Sequence, residues 1–103
     1  MCSITFHEIQ KASYPIPIEC HENAYTCIIH GVGMCDEYPR INPAHRGPNP
    51  YNGKLETGMV LAIESYIGPL GEKDGVKIEE QVLVTQDGHE ILSTYQMEES
   101  LLE

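Results

Sequence analysis

Two strand-like runs, Met59–Ile67 (MVLAIESYI) and Gly75–Thr85 (GVKIEEQVLVT), flank the turn-rich segment Gly68–Gly75 (GPLGEKDG). Apolar and β-branched runs of this length, separated by Gly, Pro and Asp, predict an antiparallel hairpin. A register that sets Glu64 opposite Glu79 has its centre between Gly71 and Glu72, in the middle of the turn. Directly opposed residues have Cβ atoms about 4.5–5.5 Å apart, so the sequence allows the two carboxylates to be cross-strand neighbours. Like charges so placed destabilise a sheet, more so beside Ile63, Ile78 and Val82, and a divalent cation would remove that cost. The blander alternative is that one Glu points to solvent on an alternating strand. Periodicity also leaves two candidates on the second strand. Glu80 shares a face with Val76, Ile78 and Val82, whereas Glu79 shares one with Lys77 and Gln81.

A third potential ligand comes from upstream. Tyr25–Ile29 is β-branched and aromatic enough to predict a buried strand over 25–30, which delivers His30 to its end. Gly31 and Gly33 bracket Val32 there and permit unusual backbone angles or close approach of another group. Carboxylates with one imidazole make a hard-to-borderline donor set that suits Mn, Fe, Co or Zn. A His after a strand also serves purely structural ends. A competing arrangement, a small structural zinc site on Cys27, His30 and Cys35, matches no standard finger spacing.

Around these segments the chain reads simply. Thr5-Phe6-His7-Glu8 has the spacing of a capping box and predicts a helix over Phe6–Ser13, ended by Pro15 and Pro17. Ile18–Ala24 is a polar connector. Tyr38–Thr57, rich in Pro, Asn, Gly and Arg, is expected to be a long loop, and such loops are often lids or substrate-binding segments. Asp87-Gly88 turns the chain into a short strand over 89–92, and the acidic tail Gln96–Glu103 has a weak helical tendency.

A chain of 103 residues makes at most one modest core. Sixteen acidic against six basic residues give a formal net charge of −10, which repels phosphate backbones and anionic lipid. Nucleic acid and membrane surfaces are therefore not expected as partners. Cys2, Cys20, Cys27 and Cys35 form no C-x-x-C pair and fit reduced thiols better than a disulfide framework. Without a signal-like segment or a run approaching a membrane span of about 18 apolar residues, a cytoplasmic protein is expected.

In order along the chain stand His30-Gly31-Val32-Gly33, then Gly58-Met59-Val60 leading to Glu64, then Val76–Thr85 with Ile78-Glu79-Glu80, followed by Asp87-Gly88. This series resembles the pita-bread metallopeptidases, a family that includes Xaa-Pro aminopeptidases, prolidases, methionine aminopeptidases and creatinases. The resemblance covers roughly residues 25–92. It implies that His30 and Glu64 ligate metal and that Glu79 bridges two divalent ions, so it favours Glu79 over Glu80; a local bulge would reconcile that choice with the apolar pattern. Two aspartates that complete the family's binuclear site come from a preceding strand pair, and Asp36, Asp74 and Asp87 are not in such a context. The chain therefore resembles the C-terminal half of a longer catalytic domain, with the N-terminal half absent. Alone it is expected to hold metal poorly and to be inactive.

The resemblance implies an α+β fold: the C-terminal half of a pita-bread domain, a curved antiparallel sheet with a helix on its outer face. It further implies a metal-dependent hydrolase acting on a small peptide or small-molecule carboxylate through a metal-bridging hydroxide, and a homodimer is expected for the intact enzyme. Peptidases of the family place a second His seven residues after the ligand His; here Glu37 stands there, preceded by Asp36. The string His30–Pro39 (HGVGMCDEYP) resembles instead the branch that includes dimethylsulfoniopropionate lyases, in which an Asp at the position of Asp36 is the proposed base. Asp36 in a turn or cap is the structural alternative. For hydrolysis, Glu37 or His45 would have to serve the leaving amine; for elimination, Tyr38 or Tyr51 would face a sulfonium. A degenerate interaction module is the third reading.

Overall fold

The hairpin forms in the expected register. The computed structural model describes residues 4–94 and 96, and in it strand β3 (Val60–Ile67) pairs antiparallel with β4 (Val76–Val84), Glu64 directly opposite Glu79. The ladder runs without a break from Val60↔Leu83 to Ile67↔Val76. The bulge expected in this segment is absent, and none is needed. Side chains alternate between the faces of a strand. Ile78 and Val82 therefore belong to one face with Leu61 and Ile63, while Glu79 stands with Glu64, Lys77 and Gln81 on the other.

Strand β1 (Ile29–Val32) lies against the far side of β3, setting His30 beside Ala62. The strand expected over 25–30 thus starts later and continues through Gly31 and Val32, so His30 sits inside a strand flanked on both sides rather than at a strand end. Ile28, just before it, already bonds both neighbours: its N–H donates to the Ile41 carbonyl at 2.7 Å and its carbonyl accepts from Glu64 N–H at 2.9 Å. The chain then turns through Gly33–Cys35 into β2 (Asp36–Ile41), which covers the first part of the supposed long loop. A Pro is tolerated in a strand only at a sheet edge, and β2 is an edge: with β5 (His89–Ile91) at the other, the order is β2-β1-β3-β4-β5. The register between β1 and β2 shifts between His30 and Gly31, where a Cβ on Gly31 would lie 2.1 Å from the Tyr38 carbonyl oxygen. Only glycine fits that crossing.

Helix α1 (Phe6–Ala12) carries the full capping box, with the Thr5 hydroxyl accepting from Glu8 N–H and the Glu8 carboxylate from Thr5 N–H. It seats Phe6 among Ile29, Ile41, Leu61, Val82 and Val84, residues of the sheet face opposite His30. The core ends there. Ile63 and Ile78, further along the same face, remain 44% and 43% exposed and line an open apolar groove with Ile4, Ile9 and Ile67.

The segment after β2 is fastened rather than free. Asn49, 4% exposed, accepts from Asn42 N–H at 2.8 Å and donates to the carbonyls of Arg40 and Tyr51 at 3.1 and 2.9 Å. Gln10 of α1 completes the knot, donating to Asn42 and Gly47 carbonyls and accepting from Asn49 N–H. A short 3-10 turn, Ala44–Arg46, lies within this segment. Residues 97–103, most of the acidic tail, fall outside the described residues.

Asn49→Ala removes one acceptor and two donors from a buried network, which leaves backbone groups without partners. We expect it to lower unfolding free energy by about 2–3 kcal/mol, measured by urea unfolding with the slope unchanged.

Candidate metal centre

Three elements converge on one face of the sheet. His30 from β1, Glu64 from β3 and Glu79 from β4 each offer a ligand atom within 4.8 Å of the others, and among the described residues this is the one His/Cys/Asp/Glu group close enough to hold a metal ion. Cys27 and Cys35 do not join His30 in such a group, so the small zinc site is not formed; Cys20, Cys27 and Cys35 are free thiols.

The His30 ring is held from both sides. Its Nδ1 lies 2.9 Å from the Gly31 carbonyl oxygen and its Nε2 2.8 Å from Glu64 Oε2. A carbonyl only accepts, so Nδ1 carries hydrogen. That leaves Nε2 as the atom aimed at the carboxylates, with ring orientation fixed by a backbone acceptor, the usual outer support of a metal-binding imidazole. Without an ion, Glu64 also only accepts, and both ring nitrogens are best served as donors. Burial alone pushes the His30 imidazole down, but the Gly31 carbonyl, Glu64 and Asp36 outweigh it and hold it above its ordinary value.

Glu64 is 4% exposed. Its Oε1 is buried without any hydrogen bond, and the nearest cation, Lys77 Nζ, stands off at 3.5 Å. The same ammonium is 3.5 Å from Glu79 Oε2 and 5.1 Å from the centre of the Tyr25 ring. The Glu64 charge, joined by the weaker Glu79, raises Lys77 above the usual amine value against the opposing effect of burial. Tyr25 is raised as well, chiefly by Glu64 and by burial. A buried carboxylate oxygen with no donor, facing a second carboxylate and an oriented imidazole, is a donor set that fits a divalent cation.

Sequence reasoning missed two of these participants. Lys77 lies two residues before Glu79 and shares its face, a position visible in the alternation; Tyr25 lies outside any strand and carries no signal in spacing.

Of the other named residues, Asp36 borders the cluster, and Glu37, His45, Tyr38 and Tyr51 make their contacts elsewhere. Asp36 opens β2, with a side chain 66% exposed and Oδ1 3.6 Å from His30 Nδ1, on the opposite edge of the ring from Glu64. Glu37 accepts from Met34 N–H at 3.2 Å and packs on Gly33, closing the β1–β2 turn. His45 stacks on His21 at 4.0 Å, beside the Ser13–Ile16 connector. Tyr38 and Tyr51 stack on each other at 5.6 Å and meet Phe6 edge-on.

This arrangement agrees with the similarity to known proteins. The chain is 36% identical over 100 residues to the dimethylsulfoniopropionate lyase DddP of Roseovarius nubinhibens, covering 96% of this chain and 22% of the relative. It is 35% identical over 96 residues to the DddP of Roseobacter denitrificans, covering 92% and 22%. An uncharacterized peptidase of Staphylococcus epidermidis is 40% identical over 68 residues, 65% of this chain and 17% of that protein. The chain thus spans about a fifth of the length of these curated relatives. Residues 3–86, which include His30, Glu64, Glu79 and the rim at Asp36, match metallopeptidase family M24, and the chain belongs to that family.

Proposed function

We propose that this chain carries the His30–Glu64–Glu79 part of the metal centre of a lyase that eliminates a thioether from dimethylsulfoniopropionate or a closely similar β-sulfonio carboxylate. The observation that carries this reading is the position of Asp36: an exposed carboxylate beside His30, reached from the ligand cluster across the width of one imidazole. Similarity along nearly the whole chain to relatives named as lyases supports it.

His30, Glu64 and Glu79 would hold a divalent ion, which would supply the positive charge to anchor a substrate carboxylate. The residues of this chain do the rest. Asp36 accepts the proton α to the carboxylate; the C–H electron pair becomes the new C=C bond, and the C–S bond breaks with its pair on sulfur, which leaves as a neutral thioether. The Gly31 carbonyl keeps the His30 ring from turning as that proton moves. The remaining ligands expected for a binuclear site belong to a segment preceding this one.

Hydrolysis of prolyl peptides is the second reading, favoured by the similarity to the staphylococcal relative named as a peptidase. It asks Glu37 or His45 to serve the leaving amine, and both side chains are already engaged, one in the β1–β2 turn and the other on His21.

The test joins this chain to the amino-terminal part of the Roseovarius nubinhibens relative and assays thioether release against prolyl dipeptide cleavage. Asp36→Asn is expected to slow elimination at least about 100-fold, the typical share of a general base, with metal content unchanged. Peptide cleavage without thioether release would favour the hydrolase instead. Glu79→Gln is expected to lower bound metal at least about tenfold, since even groups outside the ligand shell cost that much; full retention of metal would sink the ligand assignment.

Protonation and metal compete for His30. Its folded value is raised above the unfolded one, so the stability it adds to the metal-free chain is complete below the ordinary imidazole value of about 6.5. That contribution is lost as pH rises through the folded value. The melting temperature in chelator is therefore expected to fall as pH rises above the ordinary imidazole value, and His30→Gln to flatten that step.

A further inference from the structure

Lys77 occupies the space that a cation between the two glutamates must use. Its ammonium is equidistant, at 3.5 Å, from the inner oxygen of Glu64 and from Glu79 Oε2. The Glu64 oxygen concerned is the buried one with no hydrogen bond. The His30 ring meets the other Glu64 oxygen at 2.8 Å, so the charge facing this inner oxygen and Glu79 is one flexible side chain, itself 48% exposed. Two positive charges do not share so small a space, because their repulsion at a few ångströms is strong beside a buried carboxylate.

We propose that Lys77 is the resident counter-cation of the Glu64–Glu79 pair and a direct competitor of the metal: the ion enters as the ammonium withdraws, and Lys77 sets the affinity of the site. This rests on the metal reading of the cluster. Withdrawal is inexpensive for three reasons. The lysine stem is long and half in solvent, the ammonium carries its own strong hydration, and the Tyr25 ring, 5.1 Å from Nζ, offers it a second favourable face. The arrangement keeps a like-charged cross-strand pair tolerable when no ion is bound. A lysine that instead held the carboxylates in place for the metal would have the opposite effect on affinity, so the sign of the change decides.

The experiment measures Mn2+ binding by calorimetry, up to millimolar ion, on the 103-residue chain and on Lys77→Met, Lys77→Arg and Glu79→Gln. Circular dichroism monitors the fold. Lys77→Met, which keeps the stem and removes the charge, is expected to bind Mn2+ about tenfold more tightly. It is also expected to melt lower than the unaltered chain in chelator, with most of that difference abolished at saturating Mn2+. Lys77→Arg retains a competing cation and is expected to bind no more tightly than the unaltered chain. Should Lys77→Met misfold, binding by Lys77→Arg equal to or weaker than that of the unaltered chain supports the competitor, and tighter binding overturns it. Unchanged or weaker binding by a folded Lys77→Met overturns the competition alone, provided Glu79→Gln still abolishes binding. Absence of Mn2+ binding in every variant, both in the chain by itself and in the chain joined to the amino-terminal part of the Roseovarius nubinhibens relative, overturns the metal reading and this inference with it.

Discussion

Glu64 facing Glu79 across β3 and β4 is an unfavourable pair on which the rest of the structure is arranged. One carboxylate is buried and the other is at the surface, and a sheet does not place like charges opposite each other without compensation. The register is enforced from the other side. Leu61 and Val82, directly paired and buried, belong to the core with Phe6, Ile29 and Ile41. A slip of one residue would turn those side chains out and carry Glu64 and Glu79 into the apolar face. Burial on one face thus holds together on the other two groups that repel, and Glu64 at least is bonded from both sides, to β4 and to the Ile28 carbonyl. The energy to preorganise the site comes from the core, which is why the carboxylates stay together before any ion arrives.

The same logic extends to His30. Strand β1 brings it beside Ala62, a small residue that leaves space for the imidazole to lean toward Glu64. Gly31 supplies both the carbonyl that fixes the ring and the lack of a side chain that lets β2 cross closely. That crossing puts Asp36 at the rim. Ligand and rim residue are therefore positioned by one glycine and one register shift, and a side chain at that point would disturb both.

Much of this was legible in the sequence, and the reasons differ by element. The hairpin register followed from symmetry about Gly71 and Glu72, because a β-ladder without bulges maps linear distance onto contact. The capping box was legible because it is local. The choice between Glu79 and Glu80 was hard only on the assumption that candidate ligands share the apolar face; the sheet sets Glu79 on the face of Glu64 and His30 and Glu80 on the apolar one, and the parity conflict disappears. Strand β2 was hidden by Pro39, which argues against a strand unless the strand is known to be an edge, and edge position is a property of the whole sheet. The Gln10–Asn49 knot joins residues 39 apart in sequence, and polar residues in a Pro-rich stretch give no sign of whom they will meet. Tyr25 gains its place from Lys77, not from its neighbours in sequence.

A ligand cluster of one imidazole and two carboxylates does not by itself choose a reaction. Attack on a carbonyl and removal of an α-proton both profit from a cation that anchors a carboxylate or polarises an oxygen. What separates them is the group that handles the proton, and where it stands relative to that cation. Here a carboxylate, not a second imidazole, borders His30, and its neighbour Glu37 is spent on the turn that holds the strand in place. Elimination asks for a base placed beside the cation that anchors the carboxylate. Hydrolysis asks instead for a group placed to give a proton to the leaving amine. The position of Asp36, more than the three clustered residues themselves, is therefore what the proposed elimination rests on.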